Sequence, residues 1–171
     1  VVMFTDICDS TSENERLGDD TWHEVLSQYR TVVRTALAAR NGTEIATAGD
    51  GFLLCFDSPS DAVLAGVDIQ RALSDARAAD PDVPHTRIGL HAGDVVDDGS
   101  DVLGHVVNLA SRVSGAAARD EILVTEPVAD QLVGSLRLED RGLQPLKGVS
   151  QPRHLLAVKW DDAAAAPTQP V

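Results

Sequence analysis

"TEIATAGDGFLLCF", residues 43–56, holds two β-type runs joined by Ala48-Gly49-Asp50-Gly51. Thr, Ile, Phe and Leu suit a pleated, half-buried surface. The Gly-Asp-Gly tip supplies the backbone freedom that a tight reversal needs. The stretch therefore reads as an antiparallel hairpin, which argues against a purely parallel βα-repeating fold such as a receiver domain. On its N-terminal side, Val1–Phe4 reads as a short apolar strand that ends before Asp6. Between that strand and the hairpin, Trp22, Val25, Leu26, Tyr29, Val32, Val33, Ala36 and Leu37 recur at helical spacing and form one buried stripe. Asp19, Asp20 and Thr21 suit the first turn of that helix, and Asn41-Gly42 suits its stop.

On the C-terminal side, Pro59 opens a second helix that runs to about Ala79 and packs through Ala62, Val63, Ala65, Gly66, Ile69 and Leu73. "TRIGLHAGDVV" reads as a strand, "DDGSD" as a turn and "GHVVNLASRVSGAA" as a third helix. "EILV", "EPVADQLV", "LRLEDRG" and "RHLLAVKW" add strand, short helix, strand and strand. The expected class is α+β: a mostly antiparallel sheet with helices packed on it.

The length of 171 residues suits one domain, expected over residues 1–160. The remainder, "DDAAAAPTQPV" at 161–171, has no core-forming pattern and reads as a disordered tail. The formal net charge of -13 argues against a nucleic-acid-binding surface, which needs clustered Lys and Arg. It leaves room for a nucleotide substrate whose charge is carried by metal ions. No apolar run approaches the roughly 20 residues that span a bilayer, so no membrane contact is expected of this domain. The first residues already read as strand and Met3 is not terminal, so the chain reads as a piece of a longer protein. Cys8 and Cys55 lack metal-type spacing; buried free thiols in a reducing cytoplasm are the expectation.

Asp6 at a strand exit and Asp50 in the hairpin tip would converge at one sheet edge if their strands are neighbours. Two such oxygen ligands suit Mg²⁺ or Mn²⁺, with substrate phosphates completing the shell. The alternative is that Asp50 is only the Asp of an Asp-Gly turn. "ICDST", residues 7–11, offers backbone N–H groups ahead of a helix, a reasonable phosphate cradle. Asn108 and Arg112 stand four residues apart and share one helix face, opposite a core stripe of Val106, Val107, Ala110 and Val113. Arg suits a phosphate and Asn a sugar or base edge; a plain solvated polar face is the alternative.

"FTDICDST", "TAGDGFLLCF", "RIGLHAGDVV" and "DVLGHVVNLASRV" occur in this order with fitting gaps. Together they resemble the catalytic domain of class III nucleotidyl cyclases, the adenylyl and guanylyl cyclases, over roughly residues 1–159. The resemblance implies a ferredoxin-like, palm-type sheet. It implies that Asp6 and Asp50 hold two divalent cations, Mg²⁺ or Mn²⁺, with the Ile7 carbonyl as a further ligand. It places Asp101 on the adenine-reading aspartate, Asn108 on the ribose and Arg112 on the transition state. It places Lys147, in "PLKGV", on the terminal phosphates. Cys8, Asp9, Ser10 and Thr11 then read as phosphate loop and helix cap. His91 reads as structural.

One position departs from the pattern. Adenylyl cyclases usually carry Lys four residues before the second metal aspartate and guanylyl cyclases Glu; here Ala46 stands there. Its methyl cannot hydrogen-bond a purine edge. Glu44 is expected on the same strand face but is not counted as a substitute. The implied reaction forms 3′,5′-cyclic AMP and pyrophosphate from ATP at a site between two domains. Because this chain carries both halves of the site, a head-to-tail homodimer is expected. The rival readings are a degenerate cyclase-homology domain that binds nucleotide or dimerises with little activity, and a metal-dependent nucleotidyltransferase on a similar sheet, whose Gly-Gly-acidic hairpin is absent.

Overall fold

The structure is a computed structural model that describes residues 1–93, 102–132 and 136–161. Asp101, the end of "AGDVV", the "DDGSD" turn and nearly all of the tail lie outside the described residues. The elements are β1 (Val2–Ile7), α1 (Ser10–Leu17), α2 (Asp19–Ala39), β2 (Thr43–Ala48), β3 (Gly51–Cys55), α3 (Pro59–Arg77), β4 (Thr86–His91), α4 (Val102–Ala116), β5 (Ile122–Thr125), α5 (Glu126–Ala129), β6 (Leu138–Gln144) and β7 (Arg153–Val158). One seven-stranded sheet runs β2-β3-β1-β4-β5-β7-β6. Every pairing is antiparallel except β4 with β5. The α+β, mostly antiparallel expectation holds.

Alternation along β1 sorts the core into two layers. Met3 and Ile7 join Tyr29 and Val33 of α2 and Ile69 and Leu73 of α3 in the larger cluster. Val2 points the other way and packs with Val106 and Ala110 of α4. The sheet is therefore covered on both faces, α2 and α3 on one and α4 on the other. Gly89 explains how closely α4 approaches: a Cβ there would lie 2.1 Å from the Ser114 nitrogen. On α4, Leu109 and Val113 seat against Leu123 and Leu155, while Val107 is only partly buried, so Leu109 takes the core place expected of Val107.

The helix ends follow the sequence signals. Asn41 adopts a positive φ of 52°, and the Gly42 N–H reaches back to the Leu37 carbonyl at 3.0 Å. That closes α2 as expected from Asn-Gly. Ser58 caps α3 through Asp61 N–H at 3.2 Å, with Pro59 in its first turn.

Three expectations need correction. Asp6 does not follow its strand; it lies inside β1, paired with Arg87. β1 is flanked on both sides, by β3 and β4, so the ladder carries the strand past its apolar run. Glu44 and Ala46 do not share a face: Glu44 pairs with Leu54 and Ala46 with Leu53, so Ile45 is a bulge. Glu44 sides with α2, held by Arg34 at 2.9 and 3.0 Å, and Ala46 sides with Leu53 on the α4 face. Finally, Cys8 and Cys55 are free as expected but only half-buried.

Candidate active site

β1 and the β2–β3 hairpin bring Asp6 and Asp50 to one end of the sheet. Thr5 is opposite Phe52, so the hairpin tip falls beside Asp6. The two carboxylates sense each other: burial, the largest effect, pushes the Asp50 carboxyl up, and the Asp6 charge adds to it. A hydrogen bond from Ser10 pulls the other way. Asp50 Oδ2 is buried without a hydrogen-bond partner among the described residues. An orphaned carboxylate oxygen beside a second carboxylate, both hard ligands, fits a divalent cation. Among the described residues no group of three or more His, Cys, Asp or Glu is placed to hold a metal ion, so other oxygens would have to complete its shell.

The ground below Asp6 is fixed. Tyr29 and Thr5 are both fully buried, and their hydroxyls bond at 2.8 Å. The Thr86 hydroxyl donates to the Asp6 carbonyl at 2.7 Å and lies 3.5 Å from the Tyr29 hydroxyl. Ile7, 1% exposed, anchors the next residue in the core.

Sequence reasoning missed Arg87. Its guanidinium grips Asp6 Oδ2 through Nη2 at 2.6 Å and Nε at 3.2 Å. The signal was the alternation of "TRIGLH", which puts Arg87 and His91 on one face, but the partner became visible only with the β1–β4 register. Arg119 was missed too; it pairs with Asp9 at 2.9 Å across an exposed gap.

The "ICDST" turn is only partly the expected cradle. The Cys8 N–H is spent on the His85 carbonyl at 2.9 Å. Asp9 holds the N-cap position of α1 with a positive φ of 56° and makes no side-chain cap. Its carboxylate turns to Arg119 instead. Ser10 and Thr11 form the first turn of α1.

On α4, Asn108 is exposed and Arg112 half-buried, on the stripe away from Val106, Ala110 and Val113. Arg112 Nε is buried without a hydrogen-bond partner among the described residues. No ion pair joins Arg112 to Asp6 or Asp50 among the described residues; Asp6 is paired with Arg87. Lys147 is exposed in the β6–β7 connection, and Ala46 is exposed on β2. His91 is structural in its contacts: its Nδ1 lies 2.9 Å from the Thr125 hydroxyl. Asp101 falls outside the described residues.

The chain matches the family described as "Adenylate and Guanylate cyclase catalytic domain" over residues 1–158. It is 31% identical over 132 residues to an adenylate cyclase of Streptomyces coelicolor, covering 77% of this chain and 34% of that relative. The chain thus spans about a third of that relative's length. Among solved structures it resembles the adenylyl cyclase CyaB from P. aeruginosa, with a TM-score of 0.76, 22% identity and coverage of 92% of this chain and 91% of that one. It resembles the guanylyl cyclase Cya2 with a TM-score of 0.78, 23% identity and coverage of 92% and 89%. Both likenesses bear on the fold alone. With the family match spanning nearly all of the described chain, the protein belongs to the class III nucleotidyl cyclases through its catalytic domain.

Proposed function

We propose that the chain converts ATP to 3′,5′-cyclic AMP and pyrophosphate by two-metal-ion catalysis in a site shared between two copies. The observation that carries this reading is the pairing of Asp6 with Asp50, whose buried Oδ2 has no hydrogen-bond partner among the described residues. Two divalent cations, Mg²⁺ or Mn²⁺, held by Asp6, Asp50 and the Ile7 carbonyl, would lower the pKa of the ribose 3′-hydroxyl and offset the triphosphate charge.

The chain's own groups take the remaining roles. Arg112 supplies a cation for charge developing on the α-phosphate, and its unpartnered Nε supports that role. Asn108, one turn earlier on the same stripe, orients the ribose. Lys147 holds the terminal phosphates, together with the N–H groups of Asp9, Ser10 and Thr11. Asp101 accepts from the adenine amine, which favours ATP over GTP; the name adenylate cyclase carried by two relatives supports the choice of ATP. Ala46 contributes no hydrogen bond, so the base is read by one partner.

That no ion pair joins Arg112 to Asp6 or Asp50 among the described residues supports a homodimer. One copy would bring Asp6 and Asp50, and the other Asn108 and Arg112. The catalytic unit is residues 1–160, with 161–171 as a tail, placed in the cytoplasm. Among the described residues no helix is long and apolar enough to cross a membrane.

The test is incubation of the purified chain with Mn²⁺ and either ATP or GTP, followed by product identification. Cyclic AMP should form from ATP, stop with chelator, and stop in Asp50→Ala with the fold retained. Undiminished turnover in Asp50→Ala would reject this metal site, and a folded dimer without cyclase activity would leave the degenerate-domain reading.

A further inference from the structure

A cavity lies at the sheet end away from the two carboxylates. β1 and β4 run antiparallel, so Asp6 stands opposite Arg87 and Val2 opposite His91. Beside His91 and beneath α4, a cavity of about 220 Å³ opens where β4, β5 and β7 end. That is below the roughly 300–1,000 Å³ of sites for drug-sized ligands, so it suits a small molecule.

Its lining divides by chemistry. Leu109 and Pro152 give it apolar walls, and Leu143 stands at its rim. Leu143 is 71% exposed, the most exposed large hydrophobic side chain among the described residues. On the polar side, Arg153 Nε is buried without a hydrogen-bond partner among the described residues. A buried donor left unpaired is costly, and Arg153 lines the cavity, so a small shift of its side chain would offer the guanidinium to an acceptor oxygen there. His91 is already engaged with Thr125 at 2.9 Å. Burial first, then the charges of Arg153 and His105, hold its pKa down to about 4, so it is neutral at pH 7. Glu126 also lines the cavity, but His154 faces its carboxylate at 3.6 Å and bonds Asp140 at 2.7 Å. Among the charged groups of the lining, Arg153 is thus the one with a buried nitrogen left unpartnered among the described residues, in a chain whose net charge is -13.

We propose that this cavity binds a small carboxylate with an apolar body, its carboxylate on Arg153 and its body against Leu109, Pro152 and Leu143. The guanidinium supplies a planar, charged donor set matched to a carboxylate. An apolar body gives the exposed Leu143 a partner. Pro152 ends the connection that carries Lys147, so an occupant would lean on the same loop.

Benzoate and benzamide separate the charge from the body. Calorimetric titration of the whole chain should show one benzoate per chain, bound at least tenfold more tightly than benzamide. Saturating Mn²⁺ and a non-cyclisable ATP analogue should not displace it, which distinguishes this cavity from the nucleotide site. Arg153→Gln should weaken benzoate at least tenfold, with circular dichroism checking the fold. Leu143→Asp, at an exposed position that does not threaten folding, should weaken it by a similar factor through repulsion and loss of the apolar rim. The proposal is overturned if no binding is detected, if benzamide binds as well as benzoate, if the nucleotide analogue displaces benzoate, or if Leu143→Asp binds as wild type does.

Discussion

Tyr29→Phe tests whether the hydroxyl chain under Asp6 is a fixed part of the site. The substitution keeps the ring, and with it the edge-on contact to Phe52 at 5.8 Å between centroids. It removes one oxygen. Thr86 spends its proton on the Asp6 carbonyl at 2.7 Å, so it loses only the long 3.5 Å contact to Tyr29. Thr5 loses its 2.8 Å partner while fully buried. A buried hydroxyl stripped of its partner costs about 1–3 kcal/mol, whereas removing both partners together is nearly neutral. Tyr29→Phe should therefore destabilise by about 1–2 kcal/mol, a fall of roughly 2–8 °C in Tm for a chain of this size. The pair Tyr29→Phe with Thr5→Val should cost less than the sum of the single changes, with a coupling near 1 kcal/mol. Urea unfolding of the four proteins, with the m-value checked for constancy, gives these numbers. A Tyr29→Phe protein within about 0.3 kcal/mol of wild type, or strictly additive costs, would refute the reasoning.

Arg112→Ala should lower kcat by on the order of 10²–10³ with a smaller change in KM, the pattern of a charge stabiliser used in the transition state; a change confined to KM would move it to ground-state binding. Mixing Asp6→Ala with Arg112→Ala chains should restore activity up to half of wild type per heterodimer, because one of the two sites is then intact; heterodimers without rescue count against a shared site. For His91, the folded protein holds its pKa near 4 against 6.5 in the unfolded chain, so the unfolded state binds more protons between those values and stability falls as pH drops through them. The full shift is worth roughly 3 kcal/mol, cut to about 1–2 kcal/mol by partial exposure; His91→Asn should lose that part of the acid sensitivity between pH 7 and 4.5, and an unchanged slope contradicts it. Ala46→Lys should raise kcat/KM for ATP and sharpen ATP over GTP, since a regained hydrogen bond is worth roughly 0.5–1.5 kcal/mol; unchanged values mean that position 46 does not face the base.

What was legible in the sequence, and what was not, follows from the range of each interaction. The helices and the hairpin are set by neighbours a few residues apart. Thus the Tyr29 stripe, the Asn41-Gly42 stop and the Gly49-Asp50 turn could be read directly. The convergence of Asp6 and Asp50 needed only the assumption that their strands adjoin. The bulge at Ile45 was not legible, because one extra residue in an edge strand leaves no mark on composition yet reverses the face of everything before it. That reversal separates Glu44 from Ala46 and gives Glu44 to Arg34, and the pairing with Arg34 and Thr47 draws its pKa down to about 2. Position 46 is thereby isolated on the α4 face with no acidic neighbour from its own strand. A lysine placed there would not be neutralised by Glu44, and its charge would remain for a bound nucleotide. The same register logic governs Arg87, 81 residues away from the Asp6 it grips. Its ion pair offsets the Asp6 charge against Asp50 in this structure, so any cation that takes Asp6 must compete with or share a guanidinium already in place.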